Sequence, residues 1–483
     1  MFLVTNLEEK EMKVRKSLLS GLLAAILIIG SGGMKADAAD IKVDQQIPAE
    51  EVDSVYNQQI DSNLLPGWPA GPNIYSESGI VMDIDSGAIL YAKKINDQHY
   101  PASITKVLTA LVALENSQMT DKVTFTQECI DFLEYGDAHI GMKVGEEISM
   151  EDALYGMLLA SANEVSYAIG NSVEGGYDAF INKMNEKVAE LGGTNSHFVN
   201  TNGLHNDEHY TTAHDMALIG SAAFQYDEFK KITGTRQYTI EPTAITNESR
   251  TFQQNHKMLF QGNRNYYEYC VGGKTGYTDQ ALTTLVTFAQ KDDKNLVAVT
   301  LRVHGGGQNS YVDTRAMLDY AFANFSKVPI TKEQITDENV KSVEEGAYVM
   351  LPSTVTQDKL DVVLQKPTEV GDKQGTLVYS YNGQEVGKVP VTITDKCYNK
   401  IHGIEEKKEK KADKKAEEKE KKDKKGMPLV LKIVLAVVGV VVVLGLLFIW
   451  LLLYRRKKIR ERRRKAKMRR QRQQRQQRQR PRE

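Results

Sequence analysis

Strand-like segments lie at both ends of the central part of this chain, and helix-like segments fill the interval between them. Residues 79–91 form two β-type runs joined at Ser86 and Gly87, which predicts a hairpin. Near the other end, residues 282–289 and 296–303 have the composition of strands, and the polar run 291–295 separates them. We therefore expect the two ends to meet in one antiparallel sheet packed against a helical cluster, which is an α+β fold.

Apolar residues at helical spacing predict the helices between and after these strands. They cover residues 104–114, 150–173, 179–191 and 311–325. In the first of them apolar residues occupy most faces, so this helix should be buried. The last helix closes the main domain, to which we assign residues 66–326.

A small all-β domain is predicted over residues 328–396, where helical periodicity disappears. Short β-type runs cover residues 360–364, 376–381 and 388–393. Asn382 and Gly383 supply a turn between the last two runs. Short strands joined by such turns are typical of an all-β module.

The N-terminus has the pattern of a secretory signal peptide over residues 1–38, followed by a linker over 39–65. Basic residues precede an apolar run at 18–29, and an Ala-Asp-Ala site at 36–38 follows it. A membrane anchor is the alternative, which the shortness of the apolar run disfavours. Translation can start at Met1 or at Met12, since the first eleven residues add an acidic prefix unusual for a signal.

A second apolar segment, residues 429–454, is predicted to be a transmembrane helix. Its 25 residues from 429 to 453 are almost all aliphatic, and as a helix they would span ~37 Å, more than the roughly 30 Å of a hydrocarbon core. The basic tail at 455–483 places that end in the cytoplasm by the positive-inside rule. The main domain is then expected outside the cytoplasmic membrane.

The charge of the chain is distributed unevenly. The tail carries 17 Lys and Arg and two Glu, which gives it a charge of +15. Because the whole chain has a net charge of −1, the rest of the chain carries about −16. Residues 397–428 form a charged spacer in which lysines alternate with acidic residues. An acidic main domain argues against nucleic acid as a partner.

Three short motifs point to serine acyl transfer. Ser103 and Lys106 form an S-x-x-K tetrad, Ser161 and Asn163 an S-x-N triplet, and residues 274–276 the triplet K-T-G. Each motif alone is weak, but the tetrad and the K-T-G triplet each occur once. The tetrad also opens the first apolar helix, where a nucleophile gains the unpaired N–H groups of the first turn.

The residue types fit this chemistry. A serine hydroxyl needs a base within hydrogen-bond reach, and positions three apart on a helix share a face, so Ser103 and Lys106 can meet. Lys106 acts as a base only when neutral, which burial or the nearby charge of Lys274 would favour. Lys274 and the Thr275 hydroxyl can bind a terminal carboxylate, while Gly276 leaves room for the substrate backbone.

These motifs and their flanks resemble the low-molecular-weight penicillin-binding proteins that are D-alanyl-D-alanine carboxypeptidases. The resemblance covers about 66–326, extends more weakly to about 396, and rests on YPASITK at 100–106, LLASAN at 158–163, NTNGLH at 200–205, HYTTAHDMA at 209–217 and GKTGYTD at 273–279. It implies a β-lactamase/transpeptidase-like catalytic domain, then a small β domain and a membrane anchor. It also implies penicillin binding and removal of the terminal D-alanine from peptidoglycan stem peptides.

The resemblance further implies roles for single residues. Ser161 would relay a proton between Lys106 and the leaving group, and Asn163 would bind the peptide chain of the substrate. The N–H groups of Ser103 and Tyr277 would hold the oxyanion. From the residues alone, Ser161 and Asn163 lie at an apparent helix end or loop after Leu159 and can also be an ordinary helix-cap pair.

We predict no metal site and no cofactor. His205, His209 and His214 are spaced by four and five residues, but they do not form an H-E-x-x-H motif. The cysteines, Cys129, Cys270 and Cys397, are odd in number. At most one disulfide can form, the sequence does not choose the pair, and we interpret them as structural or free thiols.

Two alternative functions use the same motifs. A β-lactamase shares the nucleophile but must hydrolyse its acyl-enzyme quickly, and no usual glutamate-bearing loop is apparent between Asn163 and Lys274. A catalytically silent penicillin sensor or wall-binding protein has no need for both lysines. The sequence therefore favours the carboxypeptidase.

Overall fold

The computed structural model describes residues 47–404. Its strands are β1 (Ser76–Asp83), β2 (Ile89–Lys93), β3 (Lys122–Thr124), β4 (Glu147–Ser149), β5 (Gln237–Ile240), β6 (Arg250–Gln253), β7 (Cys270–Thr278), β8 (Leu282–Lys291), β9 (Lys294–Val303), β10 (Phe325–Pro329), β11 (Val340–Val343), β12 (Tyr348–Pro352), β13 (Asp361–Gln365), β14 (Gln374–Tyr381) and β15 (Gln384–Ile393). The α-helices are α1 (Ala49–Tyr56), α2 (Thr105–Asn116), α3 (Glu128–Asp131), α4 (Met150–Leu159), α5 (Asn163–Ser172), α6 (Gly176–Glu190), α7 (Ala213–Ala223), α8 (Asp227–Gly234), α9 (Gly307–Asn324) and α10 (Asp395–Ile401). A short 3₁₀ turn, Ala102–Ile104, leads directly into α2.

The central sheet joins strands from both ends of the main domain in the order β2-β1-β9-β8-β7. All its pairs are antiparallel, and β1 lies between β2 and β9, with Val81 opposite Ala298. This pairing confirms the sheet expected from the sequence. The strand β7 lies at one edge, so alternate backbone groups along it point away from β8.

The two faces of the sheet pack against different partners because side chains alternate along a strand. Ile80, Met82 and Val299 belong to a core shared with α2, α4 and α7. Val81 and Ala298, one position along, belong to a second core with α9 and the C-terminal strands. The sheet is therefore a middle layer between the helical cluster and the C-terminal elements.

The strands after α9 form a two-stranded ribbon, β10 with β12, and a four-stranded sheet in the order β11-β15-β14-β13. They pack on the β1–β2 hairpin, where the Lys388 N–H donates to the Ser86 carbonyl at 2.7 Å. Trp68 stacks on Tyr381 and lies near Phe325. The bounds given for separate domains stay a prediction.

Some element predictions were wrong in detail. The helical segment predicted over residues 150–173 consists of two helices, α4 and α5. The helix end expected after Leu159 is confirmed, and Ser161 within the break has a left-handed backbone with φ of +62°. Part of the predicted linker is ordered as α1, in which Val55 is buried, and the predicted spacer begins inside α10. The short ribbons β3–β4 and β5–β6 were not predicted.

The segments predicted as signal peptide, transmembrane helix and basic tail lie outside the described residues. Between residues 47 and 404, no helix combines the length and the apolar character needed to cross a membrane.

Candidate active site

Ser103 lies on the 3₁₀ turn at the start of α2 and is the accessible residue of a buried segment. From Pro101 to Ala113 it alone is half-exposed, while its neighbours are buried. The turn is tight: Ala102 has φ of +50°, and a side chain at Gly203 would overlap the Ala102 carbonyl. The fold therefore presents one hydroxyl to the cleft on a fixed backbone.

Lys106 is fully buried directly beneath that hydroxyl. Its Nζ lies 3.0 Å from Ser103 Oγ, 2.8 Å from Asn163 Oδ1 and 2.6 Å from the Asn202 carbonyl. When Lys106 is neutral, its two N–H bonds can serve the two amide oxygens while its lone pair accepts the serine proton. The three contacts thus suit a general base.

Electrostatics favour that neutral form. Burial, followed by the positive charge of Lys274, holds the pKa of Lys106 well below its ordinary value, against the opposing charges of Glu164 and Asp137. Burial alone lowers the pKa of Lys274 to about 7. Two buried lysines therefore share one site, and the charge of Lys274 disfavours a charge on Lys106.

Ser161 lies in the break between α4 and α5, where Lys274 Nζ donates to its Oγ at 3.0 Å. The same Nζ donates to the Thr275 carbonyl at 2.7 Å. A left-handed backbone is unfavourable for a serine, so this contact helps to explain why the break is kept. The arrangement excludes a simple cap role for Ser161, since no N-terminal side-chain cap is formed on α5.

Asn163 and Glu164 open α5 and fix the loop beside it. The Asn163 N–H donates to the Ala138 carbonyl at 2.8 Å, and Glu164 Oε1 accepts the Ile140 N–H at 2.8 Å. Glu164 is fully buried, and burial raises its pKa. Its carboxyl group holds a loop in place and is not presented to the cleft.

The edge strand β7 brings the K-T-G residues against the nucleophile. A Cβ at Gly276 would lie 2.9 Å from Ser103 N and 3.1 Å from Ile104 N, so glycine is required by the approach of two backbones. On β8, the Thr284 hydroxyl donates to the Pro101 carbonyl at 2.8 Å and ties the sheet to the same turn. Tyr277 and Thr275 are half-buried beside it.

A loop at residues 197–210 supports the site from the other side. His209 Nδ1 accepts the Val199 N–H at 3.1 Å, so its Nε2–H donates to Thr105 Oγ1 at 2.8 Å. The Thr105 hydroxyl in turn donates to the Ala102 carbonyl at 2.9 Å. Burial lowers the pKa of His209 to about 3, so the ring is a neutral strut under the serine turn.

Among the residues predicted for the site, the hydrogen bonds form two groups. Ser103, Lys106 and Asn163 belong to the first and Ser161 and Lys274 to the second, while Gly276 lies against the serine turn. The roles assigned to all the predicted site residues, including Thr275 and Tyr277, stay predictions. Sequence reasoning missed the Asn202 carbonyl and the His209 strut, although both residues lie in motifs that carry the family resemblance.

The remaining histidines and the cysteines have separate environments. The His205 ring meets the ring of Tyr100 at 4.6 Å, and His214 lies 3.4 Å from Asp215. The described part of the chain contains no group of His, Cys, Asp and Glu able to hold a metal ion. All three cysteines are buried and free, and burial raises the pKa of Cys270 to about 12, which argues against a thiolate nucleophile.

Comparison with known proteins gives one consistent family. The D-alanyl-D-alanine carboxypeptidase family model, Peptidase_S11, matches residues 67–305. The chain is similar to the D-alanyl-D-alanine carboxypeptidase DacB2 of Mycobacterium tuberculosis, with 34% identity over 266 residues, 53% of this chain and 84% of that protein. It is also similar to DacF of Bacillus subtilis, with 29% identity over 345 residues, 65% of this chain and 84% of that protein.

Among solved structures, the chain is similar to a crystal structure of a D-alanyl-D-alanine carboxypeptidase from Mycobacterium tuberculosis. The identity is 30%, the TM-score is 0.48, and the match covers 54% of this chain and 95% of that one.

Proposed function

Because this chain belongs to the D-alanyl-D-alanine carboxypeptidase family and is a serine-type peptidase of that kind, we propose the following roles for its residues. Ser103 attacks the carbonyl between the two terminal D-alanines of a peptidoglycan stem peptide. The observation that carries this assignment is the 3.0 Å contact between Ser103 Oγ and the fully buried Lys106 Nζ.

In the acylation step, neutral Lys106 takes the Ser103 proton as Oγ bonds to the carbonyl carbon. The N–H groups of Ser103 and Tyr277 hold the oxyanion that forms. The C–N bond then breaks, and the proton from Lys106 passes through Ser161 to the departing amine of D-alanine. Lys274 and the Thr275 hydroxyl bind the carboxylate of that D-alanine, and Asn163 binds the peptide chain.

In the second step, water hydrolyses the acyl-Ser103 ester. After free D-alanine leaves, water can occupy the vacated space, and Lys106, again neutral, takes its proton. With a penicillin the leaving group remains attached to the acyl fragment and obstructs that approach. β-Lactams are therefore expected to be covalent inhibitors.

Glu164 separates this function from the β-lactamase alternative. A class A enzyme needs a glutamate beside the deacylating water. Glu164 is the acid nearest the site in sequence, but its side chain is fully buried and Oε1 is engaged by the Ile140 N–H. This placement supports slow deacylation of a penicilloyl ester.

The test uses the full-length chain purified in detergent, incubated separately with a D-Ala-D-Ala peptide and with a penicillin. We expect release of D-alanine, and a penicilloyl adduct on Ser103 that persists for minutes or longer. Rapid steady-state hydrolysis of penicillin would instead identify a β-lactamase. Adduct formation with no D-alanine release would identify a penicillin sensor.

We also propose that residues 429–454 anchor the protein in the cytoplasmic membrane, with the peptidase outside and the basic tail inside. The aliphatic run and the 17 basic residues after it support this topology. Protease added to cells whose outer layers are permeable should remove the peptidase and leave a basic stub in the membrane. Protection of residues 66–400 would contradict this orientation.

A further inference from the structure

A charged cluster lies beside the active site, and the proposed reaction does not use it. Glu77 on β1 is its centre: Oε1 accepts from Arg302 Nε at 2.8 Å and from His304 Nε2 at 2.7 Å. Its other oxygen, Oε2, lies 3.9 Å from His99 Nδ1, beyond hydrogen-bond distance. Burial lowers the pKa of His99, which favours the neutral ring. His304 is buried, whereas Glu77 and Arg302 are partly exposed.

One arm of the cluster reaches the segment that leads into the nucleophile. His99 Nε2 lies 2.8 Å from Ser78 Oγ, and the Ser78 hydroxyl donates to the Lys94 carbonyl at 2.7 Å. His99 is also bridged to Thr211 by two backbone hydrogen bonds of 2.8 and 2.9 Å. Only two residues, Tyr100 and Pro101, separate His99 from Ala102 and the serine turn.

The other arm reaches the turn that follows the K-T-G strand. Arg302 Nη1 donates to the Gln280 carbonyl at 2.7 Å. Gln280 lies between the end of β7 at Thr278 and the start of β8 at Leu282. This turn is three residues beyond Tyr277, which the proposed mechanism uses as an oxyanion donor.

The backbone is strained at points along both arms. Ala102, Leu282 and Arg302 have φ of +50°, +54° and +52°, in the left-handed region that is unfavourable for residues with side chains. Such conformations persist where surrounding contacts hold them, and they are concentrated at functional sites. The cluster supplies contacts of that kind at Arg302 and at the Gln280 turn just before Leu282.

We infer that Glu77 is a positioning residue that sets the spacing of the two oxyanion donors, the N–H groups of Ser103 and Tyr277, by holding Arg302 and through it the Gln280 turn beyond Tyr277. This inference rests on the proposed function, because it assumes that those two N–H groups bind the oxyanion. Partial burial opposes the charge, but the His304 hydrogen bond and the Arg302 charge lower the pKa of Glu77 to about 2. The carboxylate is therefore charged throughout the working pH range.

Two variants break the cluster at different points. Glu77→Gln removes the central charge, and Arg302→Met removes the arm to Gln280 while leaving His99 and His304 beside Glu77. Glu115→Gln is the matched control, since Glu115 pairs with Lys187 at 2.9 Å on the helical cluster and does not contact the site. Thermal melting of each full-length variant accounts for any loss of folded protein.

The readout compares an ester substrate with the thionoester in which sulfur replaces the reacting carbonyl oxygen. Sulfur is a poor hydrogen-bond acceptor, so the parent enzyme should prefer the ester. Loss of one oxyanion donor lowers turnover by about 10²–10³-fold, and a misplaced donor should have a smaller effect. We expect Glu77→Gln and Arg302→Met to lower kcat on the ester by about 10-fold, with KM changed less than about twofold.

The ester-to-thionoester ratio should fall in both variants and stay at the parent value in Glu115→Gln. An equal loss on both substrates, or no loss on either, would show that Glu77 does not position the oxyanion donors. Absence of D-alanine release by the parent enzyme would instead contradict the proposed function. The two failures are therefore distinguishable.

Discussion

Two buried lysines in this protein have similar burial but different neighbours. Lys93, at the end of β2, donates to the carbonyls of Val55, Ile74 and Ser76 at 2.8, 3.0 and 2.8 Å. Lys106 donates to one hydroxyl and two amide oxygens. Neither ammonium group is accessible to water, so burial alone does not distinguish a structural cation from a base.

The nearest charges make the distinction. Burial lowers the pKa of Lys93 to about 8, but the negative charge of Asp313 opposes this change. Asp313 is itself held by the backbone N–H groups of Tyr75 and Ser76 at 3.0 and 2.9 Å. Lys106 instead has a second lysine as the main charge after burial. A carboxylate beside a buried lysine favours a structural role, and a cation beside it favours a base.

The largest expected effect tests this contrast with arginine at both positions. Guanidinium cannot deprotonate in a protein, so Lys106→Arg should lower the rate of acylation by roughly 10³-fold or more, close to the level of Ser103→Ala. Lys93→Arg keeps the positive charge at a position where only the charge is needed. The folded fraction of this variant should therefore be acylated at a rate within a few-fold of the parent rate. The measurement is adduct formation by mass spectrometry in single-turnover reactions.

Ser103→Ala gives the background rate of that assay, because this variant lacks the attacking oxygen. Acylation of Lys106→Arg at close to the parent rate would show that Lys106 is not the base. A loss in folded Lys93→Arg as large as that in Lys106→Arg would remove the distinction between the two lysines.

Much of the site could be predicted because its chemistry is local. The spacing of Ser103 and Lys106 fixes one helical face, and the observed 3.0 Å contact confirms it. The apolar spacing after Ser103 predicted a buried helix, and the structure contains it as α2. These inferences needed only periodicity and the order of motifs.

The rest depends on contacts between distant parts of the chain. The break at Ser161 contacts Lys274, 113 residues away, and no local sequence pattern predicts that contact. The Asn202 carbonyl is a backbone group and has no residue-type signal. Lys93 lies in a Lys-Lys pair at a strand end, where a solvated side chain is the ordinary interpretation, and only the fold buries it.

The second prediction concerns stability, for which the two lysines should have unequal effects. Lys93→Met leaves three carbonyls unpaired and Asp313 without its cation, so the free energy of unfolding should fall by ~3–5 kcal/mol. Lys106→Met leaves the oxygens of Asn163 and Asn202 without their donor, but it also removes a buried group whose charged form the fold disfavours, so its unfolding free energy should fall by much less. Urea unfolding of the full-length chain in detergent, without ligand, measures both changes.

A fall in Lys106→Met as large as that in Lys93→Met would mean that the contacts of Lys106 with Ser103 and Asn163 stabilise the fold as strongly as those of Lys93. The active-site lysine would then be structural as well as catalytic. The charges next to the two lysines would no longer distinguish a structural lysine from a catalytic one.

The smallest expected effect is a shift in pH dependence. Acylation requires neutral Lys106, so its rate should rise with pH through the lowered pKa of that residue. The charge of Lys274 contributes to this lowering, and replacing it by a neutral side chain raises the pKa of Lys106. Lys274→Gln should therefore move the acid limb of the acylation profile to higher pH.

The position of the limb is the readout, because the absolute rate also falls when Lys274 no longer binds the substrate carboxylate. Lys231→Gln is the control, since Lys231 pairs with Glu151 at 2.9 Å on the surface and should leave the limb unchanged. A limb that stays in place in Lys274→Gln would mean that burial alone sets the pKa of Lys106. The neighbouring cation would then not be what distinguishes this lysine from Lys93.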